Sequence, residues 1–264
     1  MRVLCFIPAR MASSRYPGKP LAPLLGLPLV LHVYRRCRML AGVDEVIVTT
    51  CDAEIAEAAR ADGATVIMTR DTHPGCVDRV EEAIEYLPEP PADDDLILMV
   101  QGDEVLVTPQ MMSAVIEAYR AEPSPVVNLA SPLSKPEDQD DPNAVKVVAA
   151  PDGRALFFSR SAIPNRSRAP DVVAFQQTGV IGFSAAFLKI FGKLPQTPLE
   201  MIEKIDMLRT LEHGYPVRIV KADRETIGVD TPADLARAEG VLREDPVTRD
   251  YMTLPEKTIP EETA

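Results

Sequence analysis

From Arg2 the chain runs apolar to Ile7 and is closed by Pro8, the pattern of a strand buried on both faces. Residues 28–40 mix Leu29, Val30, Val33 and Met39 with Arg35, Arg36 and Arg38 at helical spacing, and Gly42 stops that helix. The β-branched run EVIVTT at 45–50 predicts a second strand. Asp52 offers an N-cap to a helix ending at Gly63, and 64–68 resumes as a short strand. A helix over 78–87 and a Pro- and Asp-rich connector over 88–95 lead to LILMV at 96–100, a continuous apolar strand that empties into Gln101, Gly102, Asp103 and Glu104. The alternation of strand and helix with short connections predicts a parallel sheet with helices on its faces.

The pattern changes over 126–183. Strand-like pieces (VVNLA, AVKVVAA, ALFFS, VVAFQQTGVIGF) are separated by turns rich in Pro, Asp and Ser, which predicts an antiparallel insertion. Beyond it, Leu199, Ile202, Ile205, Leu208 and Leu211 make an i, i+3 ladder that predicts one helix, and 216–221 reads as a strand. IGVD at 227–230 runs into Thr231 as N-cap, Pro232 at the first helical position and Asp234 as a capping-box residue. From Glu244 the chain is polar and dotted with proline, the composition of a loose tail. The expected architecture is α/β: one domain over 1–243 with a mostly parallel Rossmann-like sheet, an insertion at about 126–183, and a flexible tail over 244–264.

Composition narrows the function classes. With 264 residues, 46% hydrophobic and 26% charged, the chain can bury a large core. A net charge of −12 argues against a broad nucleic-acid surface. The cysteines, Cys5, Cys37, Cys51 and Cys76, show no CxxC spacing and read as small buried side chains of a reduced, cytoplasmic compartment. No apolar run reaches the roughly 20 residues of a membrane span. No Ser-His-Asp elbow, P-loop or GxGxxG is present, which weakens dinucleotide oxidoreductase and P-loop ATPase readings.

Against that acidic background, IPARMASSRYPGKP at 7–20 sets Arg10, Arg15 and Lys19 on a loop behind the first strand, where open α/β sheets bind ligands. Arg forks and a compact Lys charge suit phosphate oxygens. Asp103 and Asp230 each follow an apolar strand end. They read either as magnesium ligands or, respectively, as a turn residue after Gly102 and part of the cap at Thr231. Glu200, Glu203 and Asp206 on one helix edge read as a solvated face or a substrate contact, and His73 lies on a loop after the third strand.

IPARMASSRYPGKP, TRDTHPGCVDR, VQGDE, DPNAVKVV, FFSRSAIP, TPLEMIEKIDMLRTLEHG and IGVDTPADLARA resemble, in order, the blocks of the CMP-Kdo synthetases, the 3-deoxy-manno-octulosonate (Kdo) cytidylyltransferases, over residues 1 to about 243. The resemblance implies a homodimeric nucleotidyltransferase with the insertion at the dimer interface, acting with CTP and Mg2+ in the supply of an envelope sugar. It implies that an oxygen of an acidic acceptor attacks the α-phosphorus of CTP. Arg10, Ser14, Arg15 and Lys19 would hold the triphosphate, Gln101 and backbone near 4–9 would border the nucleotide, and Asp103 and Asp230 would hold magnesium. Lys19, Arg10 and Asp103 would carry the catalysis. Asn143, Lys146, Arg160, Gln177 and Asp206 would face the acceptor.

Departures from the family pattern fall on the acceptor side. QSGTER of the Kdo enzymes is PGCVDR here, Pro74 to Arg79. In the block corresponding to RHLGIYGY, Gln177 stands at the His position and Ile181 at the Tyr position, and the helical Glu-Gln pair is Asp206 and Met207. A site that hydrogen-bonds a polyol loses discrimination when its partners become apolar. Two acceptors therefore remain open: Kdo or a related ulosonic acid, or a different anion such as a phosphonate. A catalytically silent nucleotide-binding protein on the same scaffold is the reading from another class, and the retained Arg10, Lys19, Asp103 and Asp230 speak against it.

Overall fold

The computed structural model describes residues 1–12, 15–133, 135–168 and 172–253. Strand β1 (Val3–Pro8) is apolar on both sides because both sides are covered: Val3, Cys5 and Ile7 join one core cluster, Leu4 and Phe6 the other. A 3-10 turn, Lys19–Leu21, and a small hairpin of β2 (Pro23–Leu24) and β3 (Leu27–Pro28) lead into α1 (Leu29–Arg38). The chain continues through β4 (Glu45–Thr50), α2 (Ala53–Ala61), β5 (Thr65–Met68), α3 (Cys76–Glu85), β6 (Leu96–Val100) and α4 (Pro109–Ala121).

Next come β7 (Val126–Leu133), α5 (Pro136–Asp140), β8 (Lys146–Ala149), β9 (Ala155–Ser159) and β10 (Ala174–Ser184). Helices α6 (Ala185–Phe191), α7 (Pro198–Glu203) and α8 (Asp206–Glu212), strand β11 (Val217–Lys221), and helices α9 (Pro232–Glu244) and α10 (Pro246–Tyr251) complete the chain as described.

The main sheet runs β11-β7-β10-β6-β1-β4-β5. Strand β1 pairs in parallel with β4 on one side and β6 on the other, so the chain turns outward in opposite directions from β1. That reversal makes a crevice beyond the carboxyl ends of β1 and β6, the place where open α/β sheets accept ligands. Strand β10 is antiparallel to both β6 and β7, while β7 and β11 are parallel. Helices α1, α2, α4 and α9 cover one face, and α3, α6 and α8 the other.

Three segments differ from their sequence pattern. The 126–183 region is only partly an insertion: β7 and β10 are central strands of the main sheet, and only β8 and β9 branch from it through β10. The ladder over 199–211 is two helices, because Lys204 at φ 56°, ψ 49° breaks it; Ile202 is 76% exposed while Ile205 and Leu208 are buried. The polar stretch after Glu244 begins with a docked helix. Fully buried Arg36 on α1 donates to Asp245, to Thr248 Oγ1 at 2.8 Å and to the Val107 carbonyl at 3.0 Å. Its Nε reaches the Tyr251 hydroxyl at 3.3 Å. Polar residues of the tail thus meet a buried cation instead of water. Among the described residues, no helix is long and apolar enough to cross a membrane.

Candidate active site

At the crevice lies a cleft of about 470 Å³ lined by residues from β1, β6, β10, the start of α3, the α7–α8 junction and the 225–237 segment. Its charged end is assembled from three pieces of chain. The Arg10–Lys19 loop is closed by a hydrogen bond from Gly18 N–H to Met11 O at 3.1 Å and anchored by Met11 N–H to Asp52 Oδ2 at 2.7 Å. Asp52 occupies the N-cap position of α2, but its carboxylate serves the loop and makes no side-chain cap bond there. Gly18 adopts φ +74°, a turn that turns the chain into the 3-10 segment presenting Lys19.

The second piece is the turn after β6. Gly102 donates to Pro8 O at 3.2 Å, and a Cβ at this position would lie 3.1 Å from that oxygen and 3.2 Å from Ala9 Cβ, so any larger residue would require the ends of β1 and β6 to give by a few tenths of an ångström. Asp103 follows. Its carbonyl accepts from Val229 N–H at 3.1 Å, which brings in the third piece. Asp230 sits just before the N-cap of α9, where the capping box is filled by Thr231 and Asp234, leaving the Asp230 side chain to face the cleft.

Lys19 Nζ lies between the carboxylates, 2.7 Å from Asp103 Oδ2 and 3.2 Å from Asp230 Oδ1. Arg15 pairs with Asp230 Oδ1 at 3.0 Å and donates to Asn143 Oδ1. Burial works against the Lys19 charge, but Asp103 and then Asp230 outweigh it and hold the ammonium above its ordinary pKa. Arg10 is exposed at the rim and reaches His73 O at 3.5 Å. The two carboxylates present hard oxygens to one point. Among the described residues no group of three or more His, Cys, Asp or Glu that could hold a metal ion is found, and two carboxylates would suit magnesium if phosphate oxygens and water supplied its other ligands.

Glu104, beside Asp103, is 5% exposed. Oε1 accepts from Gly179 N–H at 2.5 Å, whereas Oε2 is buried without a partner. Burial, reinforced by the Asp103 charge, pushes its pKa up to about 7.

On the other side of the cleft, Met99, Ile181 and Met207 form a buried apolar wall with Val77. Asp206 packs against Gly75, where a Cβ would lie 2.7 Å from its Oδ2. Burial, then the charges of Asp78 and Glu200, raise its pKa to about 6. Gln177 Nε2 donates to Asn128 Oδ1 at 2.9 Å. Arg160 is planted by carbonyls: Nε donates to Glu203 O at 2.6 Å, Nη1 to Pro142 O at 2.9 Å and Nη2 to Lys204 O at 3.4 Å. Glu203 also accepts from Ser159 Oγ and Arg160 N–H, so its carboxylate fixes the strand end that carries Arg160.

Arg10, Arg15, Lys19, Gln101, Asp103, Asn143, Arg160, Gln177, Asp206 and Asp230 all border this one cleft. Ser14 lies outside the described residues. Of the backbone near 4–9, Pro8 and Ala9 reach the cleft. Lys146 does not belong with the acceptor-side residues. It is fully buried, its Nζ donates to the carbonyls of Asp141, Ala144 and Arg160, and burial lowers its pKa. It ties the loop that carries Asn143 to the end of β9. The sequence pattern also passed over Glu104, whose partner is 75 positions away, and Arg237, which meets Glu225 Oε1 at 2.9 Å at the cleft. Only the acidic doublet after Gly102 hinted at the first, and nothing local marked the second.

The Cytidylyltransferase family model matches residues 4–225. A 3-deoxy-manno-octulosonate cytidylyltransferase of Syntrophobacter fumaroxidans is 43% identical over 250 residues, spanning 94% of this chain and 99% of that protein. An 8-amino-3,8-dideoxy-manno-octulosonate cytidylyltransferase of Shewanella amazonensis is 37% identical over 247 residues, spanning 93% of this chain and 100% of that protein. A solved structure of CMP:2-keto-3-deoxy-manno-octonic acid synthetase complexed with CTP aligns with a TM-score of 0.83 at 33% identity, covering 92% of this chain and 99% of that one. With the matched region reaching from β1 through the cleft's apolar wall to Glu225, the chain belongs to the cytidylyltransferases, a family of nucleotidyltransferases.

Proposed function

We propose that the protein joins CMP from CTP to an acidic acceptor, Kdo or a related 3-deoxy-ulosonic acid, and releases pyrophosphate. The observation that carries this reading is the convergence of Lys19 and Arg15 on Asp103 and Asp230 at the sheet's switch point. Arg10, Arg15 and Lys19 grip the triphosphate, with Ser14 on the same loop, and Gln101 borders the nucleotide. Lys19, held protonated by its carboxylate neighbours, keeps its charge for the leaving pyrophosphate. Asp103 and Asp230 would hold magnesium, which supplies charge neutralisation and orients the phosphates. An oxygen of the acceptor forms a bond to the α-phosphorus, and the bond from that phosphorus to the bridging oxygen breaks, the electron pair leaving with pyrophosphate. Arg160, fixed by its carbonyl partners, and Asn143, Gln177 and Asp206 face the acceptor.

A second reading keeps the chemistry and changes the acceptor to a smaller anion such as a phosphonate. Buried Ile181 and Met207 on the acceptor wall favour it, since they offer a polyol no hydrogen bonds. A homodimer in a reduced, cytoplasmic setting also belongs to the reading. Leu156 on β9 is 53% exposed and Met201 and Ile202 on α7 are 48% and 76% exposed, apolar side chains that a second copy would cover, and the cysteines are free thiols.

Pyrophosphate release with CTP, magnesium and a panel of ulosonic acids and phosphonates tests the function. Turnover with Kdo well above that with phosphonates is expected for the first reading, and the reverse order for the second. Absence of pyrophosphate with every acceptor would sink both.

A further inference from the structure

Between Gln177 and Ile181, β10 loses register with β7: Gln177 lies opposite Ala130 and Ile181 opposite Asn128, so a step of four on one strand meets a step of two on the other. This bulge carries Gln177, Thr178, Gly179 and Ile181 along the cleft. It is held by polar groups outside the regular ladder. Asn128 Nδ2 donates to the carbonyls of Thr178 at 3.1 Å and Val180 at 3.2 Å, and its Oδ1 accepts from Gln177. Gly179 is gripped at both of its backbone groups by the turn that carries Asp103. Its carbonyl accepts from Gln101 N–H at 2.9 Å, and its N–H donates to Glu104 Oε1 at 2.5 Å. The packing is close enough that a Cβ on Gly179 would lie 2.7 Å from Gln101 Cβ.

We propose that Glu104 is a positioning residue that sets the acceptor-side wall of the cleft, holding the β10 bulge against the Asp103 turn through the Gly179 amide. The inference rests on the proposed transferase reading and adds a residue whose work is on the acceptor half of the site. A buried carboxylate whose second oxygen has no partner is a costly way to satisfy one amide. Oε2 is buried and Oε1 is already engaged, so the carboxylate acts through the bulge and does not touch the reacting atoms. Losing it frees Gly179 N–H and lets Gln177 and Ile181 move, while the Lys19, Asp103 and Asp230 cluster keeps its own contacts.

The test compares Glu104→Ala and Glu104→Gln in the full chain, each checked by thermal unfolding, with Kdo and 2-aminoethylphosphonate as the acceptors. For Glu104→Ala, a rise of at least about tenfold in acceptor KM is expected with CTP KM within about twofold of wild type. Glu104→Gln, whose amide oxygen can still accept from Gly179, is expected to restore the acceptor KM to within about threefold. Equal rises in both KM values, or a Gln variant as impaired as the Ala variant, overturn the proposal. Wild-type protein inactive with both acceptors counts against the functional reading instead, and amide hydrogen exchange then decides. Glu104→Ala should speed exchange in the β10 peptide at least about tenfold relative to the β1 peptide, and unchanged exchange there overturns the proposal. If Glu104→Ala does not fold, Glu104→Asp, whose carboxylate is one methylene too short to reach Gly179 N–H from the same backbone, is expected to give the same KM split, and its absence is equally decisive.

Discussion

Lys19 and Lys146 show how little a residue type says before its neighbours are known. Both are buried lysines, but Lys19 is stabilised as a cation by two carboxylates in an open cleft, while Lys146 spends its three donors on two carbonyls of the Asn143 loop and one at the end of β9. The first was legible because strand ends, Gly-Asp and a cationic loop are local signals. The second was not, because the carbonyls converge only in the fold. Asp206 gives the residue scale a direct measurement. Its pKa is raised from 3.8 to about 6, so the native protein binds more protons than the unfolded chain between about pH 4 and 6. Wild-type stability should therefore lose ground as pH rises through that window and change no further, from this group, above it. Asp206→Asn removes the penalty, so in denaturant titrations the variant should gain on wild type from pH 4 to pH 8, by up to about 3 kcal/mol at about 1.4 kcal/mol per pKa unit. A stability difference that stays constant with pH would contradict this origin of the shift.

At the scale of elements, the sequence was most readable where the structure is set by short-range chemistry. The capping box at Thr231 and Asp234, the buried strands β1 and β6, and the Gly-terminated α2 follow from neighbours within a turn or a pleat. The failures have tertiary causes. The 199–211 ladder is split by Lys204, and its first half turns its apolar side outward. Helix α10 looks like a solvated tail until Arg36, 209 positions from Asp245, supplies the buried charge that its polar residues meet. Strand β10 reads as part of an insertion, but it lies between β6 and β7 in the main sheet, and its bulge is fastened by Glu104 from the Asp103 turn. None of these contacts leaves a periodic trace in the chain.

For the whole molecule, topology decides where chemistry can happen. The reversal at β1 opens the crevice, and the turn after β6 and the start of α9 close on it from positions more than 120 residues apart, as Asp103 and Asp230 do. Exposed Leu156 lies on β9, in the branched part of the sheet, and α7, which carries exposed Met201 and Ile202, is tied to the end of β9 through Glu203. Sedimentation is expected to give twice the mass of one chain for wild type and a single chain for Ile202→Asp; a wild-type monomer at micromolar concentration would remove the homodimer from the reading. The central claim concerns the charged end of the cleft, and it is tested most directly by pyrophosphate release from CTP in Asp103→Asn. With the acceptor that wild type uses and magnesium present, the variant should still fold, at an unfolding temperature lowered by the loss of the Lys19 ion pair, and lose at least about a hundredfold in turnover. Turnover within about tenfold of wild type would contradict the placement of the metal and phosphate chemistry at Asp103.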